Sequence, residues 1–178
     1  SRMGVKDSKK LKPSKRYEIY NECDNFVEDF SFCEFTAKEI TKLRKGGMTM
    51  TDIGIVSFTN VINSLDGKNV IVDALGADRL ENVNEIKDNT PDEKNISMHK
   101  QADEKFVPVS LASIYAKTRR EERVGEIISE YGDVGSGYPS DDFTRKFLSK
   151  WYNENGDFPP IVRKDWKTVK DIRNNQNT

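Results

Sequence analysis

Histidine and cysteine are almost missing from this 178-residue chain, which has one His (His99) and two Cys (Cys23 and Cys33). The two cysteines do not form a Cys-x-x-Cys spacing, so neither a zinc site nor a disulfide framework is indicated. A reduced, intracellular and therefore cytoplasmic setting is the simpler expectation. Serine or cysteine nucleophilic catalysis would have to use His99, and neither an adjacent nucleophile motif nor a Gly-x-Ser-x-Gly elbow is present. Walker A and Gly-x-Gly-x-x-Gly sequences are also missing, which removes the usual nucleotide-cradling loops. No apolar run approaches the roughly 18 to 20 residues of a membrane span. The opening Ser1-Arg2-Met3-Gly4-Val5 has no signal-peptide character, so a soluble protein is expected. Charge of one sign is not in excess either, with a formal net charge of −1, so a polyanionic partner must be argued from local clusters.

What the chain does hold is charge of both signs, 33% of residues, over a modest 35% hydrophobic content. That composition predicts a thin core under a charged surface, and the length predicts one globular unit. Basic residues gather in residues 1–16, again at Lys117, Arg119, Arg120 and Arg123, and again at Arg163, Lys164, Lys167, Lys170 and Arg173. Each cluster alone reads first as a solvated face and second as a nucleic-acid contact.

Hydrophobic periodicity divides the chain into alternating elements. Pro13 opens a helix in which Tyr17, Tyr20 and Cys23 recur at threes. Phe26, Phe30 and Phe32 share one parity, which predicts a part-exposed strand over residues 25–35. Thr36 and Glu39 form a capping box for a helix to about Arg44, ended by Gly46-Gly47. Thr51 or Asp52 caps the next helix, with Ile55, Phe58, Ile62 and Leu65 on one face. The run Val70-Ile71-Val72-Asp73-Ala74-Leu75 reads as a strand buried on both faces, as in sheets covered by helices. Leu80 to Ile86 is given only a helical turn or two. Residues 96–109 supply one more strand, residues 110–130 form the longest helix, closed by Gly132, and a further helix runs from about Asp141 to Tyr152 before a basic tail.

Among these elements Asp73 is the most informative residue, because a carboxylate inside an apolar strand is costly unless it is paired or binds a cation. Its alternative is a strand that ends at Val72, with Asp73 beginning a turn. On the long helix Ser113, Lys117 and Glu121 stand at i, i+4 and i+8 and share a face. They read either as a solvated Lys–Glu pair or as a hydroxyl, an ammonium and a carboxylate presented together. Ser140, Asp141 and Asp142 read as a helix N-terminus, whose dipole favours acidic residues. With nucleophilic and nucleotide-cradling chemistry set aside, carboxylates with an oxygen-liganded divalent metal remain.

Four segments taken together resemble the type 2 ribonuclease H family (ribonuclease HII), most closely its archaeal branch. They are Gly4-Val5-Lys6-Asp7-Ser8-Lys9-Lys10-Leu11; Val72-Asp73; Ala102-Asp103-Glu104-Lys105-Phe106 through Val109-Ser110-Leu111-Ala112-Ser113-Ile114-Tyr115-Ala116-Lys117; and Tyr131-Gly132-Asp133-Val134-Gly135-Ser136-Gly137-Tyr138-Pro139-Ser140-Asp141 with the trailing Pro159-Pro160 and Trp166-Lys167-Thr168. The resemblance implies an α/β fold, a ribonuclease H-like mixed sheet flanked by helices, in one catalytic domain over residues 1–178 with a helical C-terminal extension from about residue 141. It also implies an endoribonuclease that hydrolyses the RNA strand of RNA–DNA hybrids, and ribonucleotides embedded in DNA, with two Mg²⁺ or Mn²⁺ ions held by four carboxylates. Such enzymes serve RNA primer removal and ribonucleotide repair, and the family habit is monomeric.

Residue by residue, the resemblance makes Asp73 and Glu121 catalytic metal ligands, with Glu121 standing where the family has aspartate. Tyr138 matches the tyrosine that stacks on the sugar beside the ribonucleotide. Asp7, Ser8 and Lys9 resemble the segment that grips backbone phosphate, and Ser113 with Lys117 supports the same strand. The family's opening Asp-Glu-Ala-Gly-Arg-Gly strand has no counterpart here, so the N-terminal strands of the fold are expected to be absent from this sequence. That absence keeps a second expectation open, a non-catalytic relative or inactive fragment that holds nucleic acid through its basic clusters.

Overall fold

The computed structural model describes residues 11–23, 27–76 and 79–175, except the side chains of residues 13 and 79. The chain divides into two compact units, one of Ser1–Glu34 with Met50–Arg120 and one of Phe35–Thr49 with Glu121–Thr178.

The first unit opens with α1, Pro13–Cys23. The predicted Tyr17–Tyr20–Cys23 stripe is borne out in part: Cys23 is buried and Tyr20, half-buried, sets its ring 4.6 Å from that of Tyr115. Ile19 and Cys23, one turn apart, pack on Ile114 and Tyr115, while Tyr17 is half exposed. A tyrosine keeps its hydroxyl hydrated at little cost, so the branched aliphatic side chain takes the core position. Residues 27–36 do not form the predicted strand. Its described part is irregular and has no ladder partner among the described residues. The parity argument survives in another form, since Phe30 and Phe32 both rest on the Tyr115 ring, at 5.6 and 6.4 Å between centroids.

A strand–helix–strand unit follows. Helix α3, Met50–Asn63, leads into β1, Asn69–Asp73; α4, Arg79–Asp88, crosses to β2, Asn95–His99. The strands pair in parallel, with Val70 opposite Ile96 and Asp73 opposite His99. Parallel strands need such a crossover, which the sequence between them supplies as a helix. Ile55 and Ile62 of α3, Val72, Ile86 of α4 and Ile96 form the core here. Met50 begins α3 ahead of the predicted caps, and α4 is a full helix rather than a turn or two. Asn82, buried, anchors α4 by donating from Nδ2 to the carbonyl of Leu75 at 2.5 Å. Only Val72 of β1 is fully buried, so the strand is not covered on both faces as its composition predicted.

The second predicted strand is also shorter than expected. It stops at His99, and Gln101, in the left-handed region at φ 54°, turns the chain into α5, Ala102–Lys105. Helix α6, Val107–Tyr131, begins three residues before its predicted start and continues into the second unit. Pro108 suits that first turn because the amide it lacks has no helical acceptor there.

The second unit holds α2, Ala37–Lys45, with the predicted Thr36–Glu39 capping box, and two C-terminal helices, α7, Asp142–Asn155, and α8, Lys167–Asn175. The predicted basic tail thus ends in a helix that carries Lys167, Lys170 and Arg173. Leu148, Phe158, Val162 and Val169 form its core. Asp165 lies between Arg163 (2.9 Å) and Arg44 (3.6 Å), and the amide of Lys164 donates to Thr41 Oγ1 at 3.1 Å, tying α2 to the C-terminal segment.

Candidate active site

Asp73 is the last residue of β1, at the carboxyl end of a parallel strand, where sites of open α/β sheets lie. Its carboxylate is fixed by backbone rather than by side chains. Oδ1 accepts from the amide of Ala74 at 3.0 Å and from that of Ala102 at 2.9 Å. The second bond ties the end of β1 to the start of α5 and delivers the next residue, Asp103, to the same place. Asp103 is only 5% exposed. Asp73, Asp103 and Ser113 of α6 line one cavity of about 510 Å³, walled otherwise mainly by apolar side chains such as Val72 and Ala116.

Of the residues singled out in the sequence, the structure therefore brings Asp73 and Ser113 together. It adds Asp103, which sequence reasoning quoted inside a motif and did not single out. The local signal was available, an acidic residue in the first turn of a short helix, but it reads as an ordinary dipole contribution. Its burial is what marks it, because an ionised carboxylate is seldom buried unless a cation or donors compensate. Lys117 and Glu121 are half-buried on α6, one and two helical steps of four beyond Ser113, and Glu121 lies in the second unit. Asp7, Ser8 and Lys9 lie outside the described residues. His99 packs its ring on Phe106 at 4.9 Å.

The second unit presents Tyr138, 52% exposed, on a loop whose shape is set by Asp141. Oδ2 of Asp141 accepts from the amide (2.6 Å) and hydroxyl (2.8 Å) of Ser136, while Oδ1 accepts from the amide of Phe143 (3.1 Å). These donors favour the charged form, and the Ser136 amide leads in pulling the carboxyl down to about 2. Thr144, buried, donates its hydroxyl to the carbonyl of Val134 at 2.9 Å and accepts from the amide of Gly137 at 3.0 Å. Gly135 sits at φ 70°, and a β-carbon there would come within 2.5 Å of Asp141 Oδ2 and 2.7 Å of the Thr144 nitrogen. Asp141 is therefore both the expected helix cap and the hub of the loop that displays Tyr138.

No group of three or more His, Cys, Asp or Glu is placed to hold a metal among the described residues. Two carboxylates in one cavity, with no thiolate or imidazole lining it, are hard oxygen donors of the kind that suit a divalent cation.

The family model described as "Ribonuclease HII" matches residues 1–169. The chain belongs to the ribonuclease HII family. It is 44% identical over 175 residues to the ribonuclease HII of Thermococcus sibiricus, covering 96% of this chain and 75% of that one. The ribonuclease H2 structure from Pyrococcus horikoshii OT3 superposes with a TM-score of 0.92 at 32% identity, covering 99% of this chain and 83% of that one. Ribonuclease HII in the PCNA:RNase HII complex from Archaeoglobus fulgidus gives a TM-score of 0.83 at 30% identity, covering 97% and 82%. Ribonuclease HII enzymes are divalent-metal-dependent endoribonucleases acting on RNA in RNA–DNA hybrids, and the ribonuclease H-like fold expected from the sequence is the one observed. No helix among the described residues is long and apolar enough to cross a membrane.

Proposed function

We propose that this chain carries the substrate-binding surface and two metal-binding carboxylates of an enzyme that hydrolyses the RNA strand of RNA–DNA hybrids, including ribonucleotides embedded in DNA. The observation that carries the reading is the convergence of Asp73 and Asp103 on one cavity at the carboxyl end of β1. In this reading both hold a divalent ion, Mg²⁺ or Mn²⁺, and Glu121 is a further acidic contributor from α6. When bound, such ions lower the pKa of an attacking water and neutralise charge on the scissile phosphate. The chain's own residues do the positioning. Ser113 and Lys117, with Asp7, Ser8 and Lys9, hold backbone phosphate, and exposed Tyr138 offers a flat face to a sugar or base at the RNA–DNA junction. The enzyme acts as a cytoplasmic monomer and as one catalytic domain with a helical extension from about residue 141.

The test is cleavage of a duplex bearing one embedded ribonucleotide, with Mn²⁺ binding measured in parallel by calorimetry. Asp73→Asn and Asp103→Asn should each weaken Mn²⁺ binding at least tenfold and abolish any metal-dependent cleavage. Cleavage that survives both substitutions would overturn the assignment.

A second reading, a non-catalytic holder of hybrid, is favoured by the lack of a third converging carboxylate among the described residues. It requires salt-dependent hybrid binding without cleavage in any divalent ion. Appreciable cleavage by the 178-residue chain excludes it.

A further inference from the structure

Gln101 is the only residue other than glycine with a positive φ among the described residues, at φ 54° and ψ 45°. A β-carbon makes the left-handed region costly, and glutamine lacks the short polar side chain with which asparagine offsets that cost locally. Nothing in its own side chain explains the conformation. It bonds no helix amide, and its Nε2 reaches only Glu104 Oε1, at 3.4 Å on the surface. Strain of this kind persists where the surroundings over-determine it, and it gathers at functional sites.

The surroundings here are the two carboxylates of the candidate site. Strand β2 ends at His99, whose carbonyl accepts from the amide of Ala74 at 3.0 Å. Three residues later the amide of Ala102 donates to Asp73 Oδ1 at 2.9 Å, at the same end of β1. The chain therefore doubles back within Lys100 and Gln101. Because a peptide is planar, φ and ψ of Gln101 set the direction of the Ala102 amide and decide whether it faces Asp73. The turn is held from its flank: Lys105 Nζ donates to the carbonyl of Lys100 at 2.7 Å, and the amide of Glu104 to that of Gln101 at 3.1 Å. Beyond it Ala102 and Asp103 are buried, while Gln101 itself is exposed. A right-handed residue at this position would swing the Ala102 amide off Asp73 and carry Asp103 with it.

We propose that Gln101 is a positioning residue for Asp73 and Asp103, and that it acts through its left-handed backbone and not through its side-chain amide. Its conformation aims the Ala102 amide at Asp73 and sets Asp103 in the same cavity. The consequence for metal binding rests on the reading of both carboxylates as metal ligands. The hydrogen bond itself is measured without metal.

The experiment compares Gln101→Gly, Gln101→Ala and Gln101→Val by amide exchange, thermal unfolding and Mn²⁺ calorimetry. Glycine adopts this conformation without strain, so Gln101→Gly should raise Tm by about 2 °C or more and leave Ala102 exchange and Mn²⁺ affinity within about twofold. Gln101→Ala keeps the β-carbon, removes the amide, and should match the parent in all three measurements. A β-branched residue is a genuine outlier at positive φ. Gln101→Val should therefore speed exchange at Ala102 about tenfold more than at Val72, and weaken Mn²⁺ binding by about tenfold or more. A merely structural role predicts a lower Tm with both amides affected alike and Mn²⁺ affinity unchanged, and that result overturns the proposal. So does a Gln101→Gly variant that melts below the parent, a comparison that stands even where Gln101→Val does not fold. Loss of Mn²⁺ binding in Gln101→Ala also overturns it, by assigning the role to the side chain. If Asp73→Asn weakens Mn²⁺ binding and Gln101→Val does not, the positioning role fails and the metal reading stands. If the parent binds no Mn²⁺, the metal reading fails, and exchange at Ala102 still decides for or against Gln101.

Discussion

Asp73 Oδ1 accepts a hydrogen bond from the backbone nitrogen of Ala102 at 2.9 Å, joining the end of β1 to the first turn of α5. One carboxylate oxygen thus holds structure, and its position brings Asp103 into the same cavity. The two roles of Asp73 separate by substitution. Asp73→Asn keeps an acceptor for Ala102 and Ala74 and should cost less than about 1 kcal/mol, whereas Asp73→Ala leaves both donors unmet and should cost about 1–3 kcal/mol. Both should lose Mn²⁺ binding. Urea unfolding beside calorimetry checks this, and equal destabilisation by Asn and Ala would show that the hydrogen bonds do not hold the site.

The Asp141 carboxyl offers a test by pH. Its folded pKa, pulled down to about 2, lies below the unfolded value near 3.8. A lowered folded pKa stabilises the charged form, so the contribution is fully present above about pH 4 and is lost as pH falls through about 2. Asp141→Ala should therefore melt below the parent at neutral pH, with the gap closing towards pH 2. A gap that is constant with pH would place the stabilisation elsewhere.

Two glycines with nearly the same backbone conformation should respond differently to alanine. Gly135 and Gly156 lie at φ 70° and 72°, but a β-carbon meets Asp141 and Thr144 at the first and nothing within 4 Å at the second. Gly156→Ala should cost about 1 kcal/mol from conformation alone. Gly135→Ala should cost more, because the nitrogen it approaches is backbone. Thermal unfolding of the pair measures the difference, and equal costs would argue that the Asp141 loop yields easily.

Tyr138 is half exposed and its ring contributes little to the core. Tyr138→Ala should leave Tm within about 2 °C of the parent. It should weaken binding of a junction-containing duplex about tenfold, in line with about 1–3 kcal/mol per aromatic stack. Tyr138→Phe should retain most of the affinity. Fluorescence anisotropy distinguishes these, and unchanged affinity in the alanine variant removes Tyr138 from the binding surface.

Local features were legible where the interaction that makes them is itself local. Thr36 and Glu39 announce a capping box three residues apart, and the structure contains it. Gly132 was expected to end α6, and it does so in the left-handed region. The strand expected around Phe30 failed because a strand is a pairing, and alternation cannot supply the partner. The stripe of α1 was legible at Tyr20 and Cys23 but missed Ile19 and included the half-exposed Tyr17, because spacing at threes identifies an amphipathic helix without fixing the centre of its buried face.

By itself the sequence determined the family, through the order of Asp7-Ser8-Lys9, Asp73, the segment ending at Lys117 and the Gly135–Tyr138 loop, together with most helices, since 3.6-residue periodicity and caps are properties of neighbours in the chain. Tertiary structure alone decided that Asp103 joins Asp73. It also decided that Asp141 holds the Tyr138 loop. Each of these depends on where the chain returns in space, which hydrogen bonds and burial fix only after the helices and strands have packed.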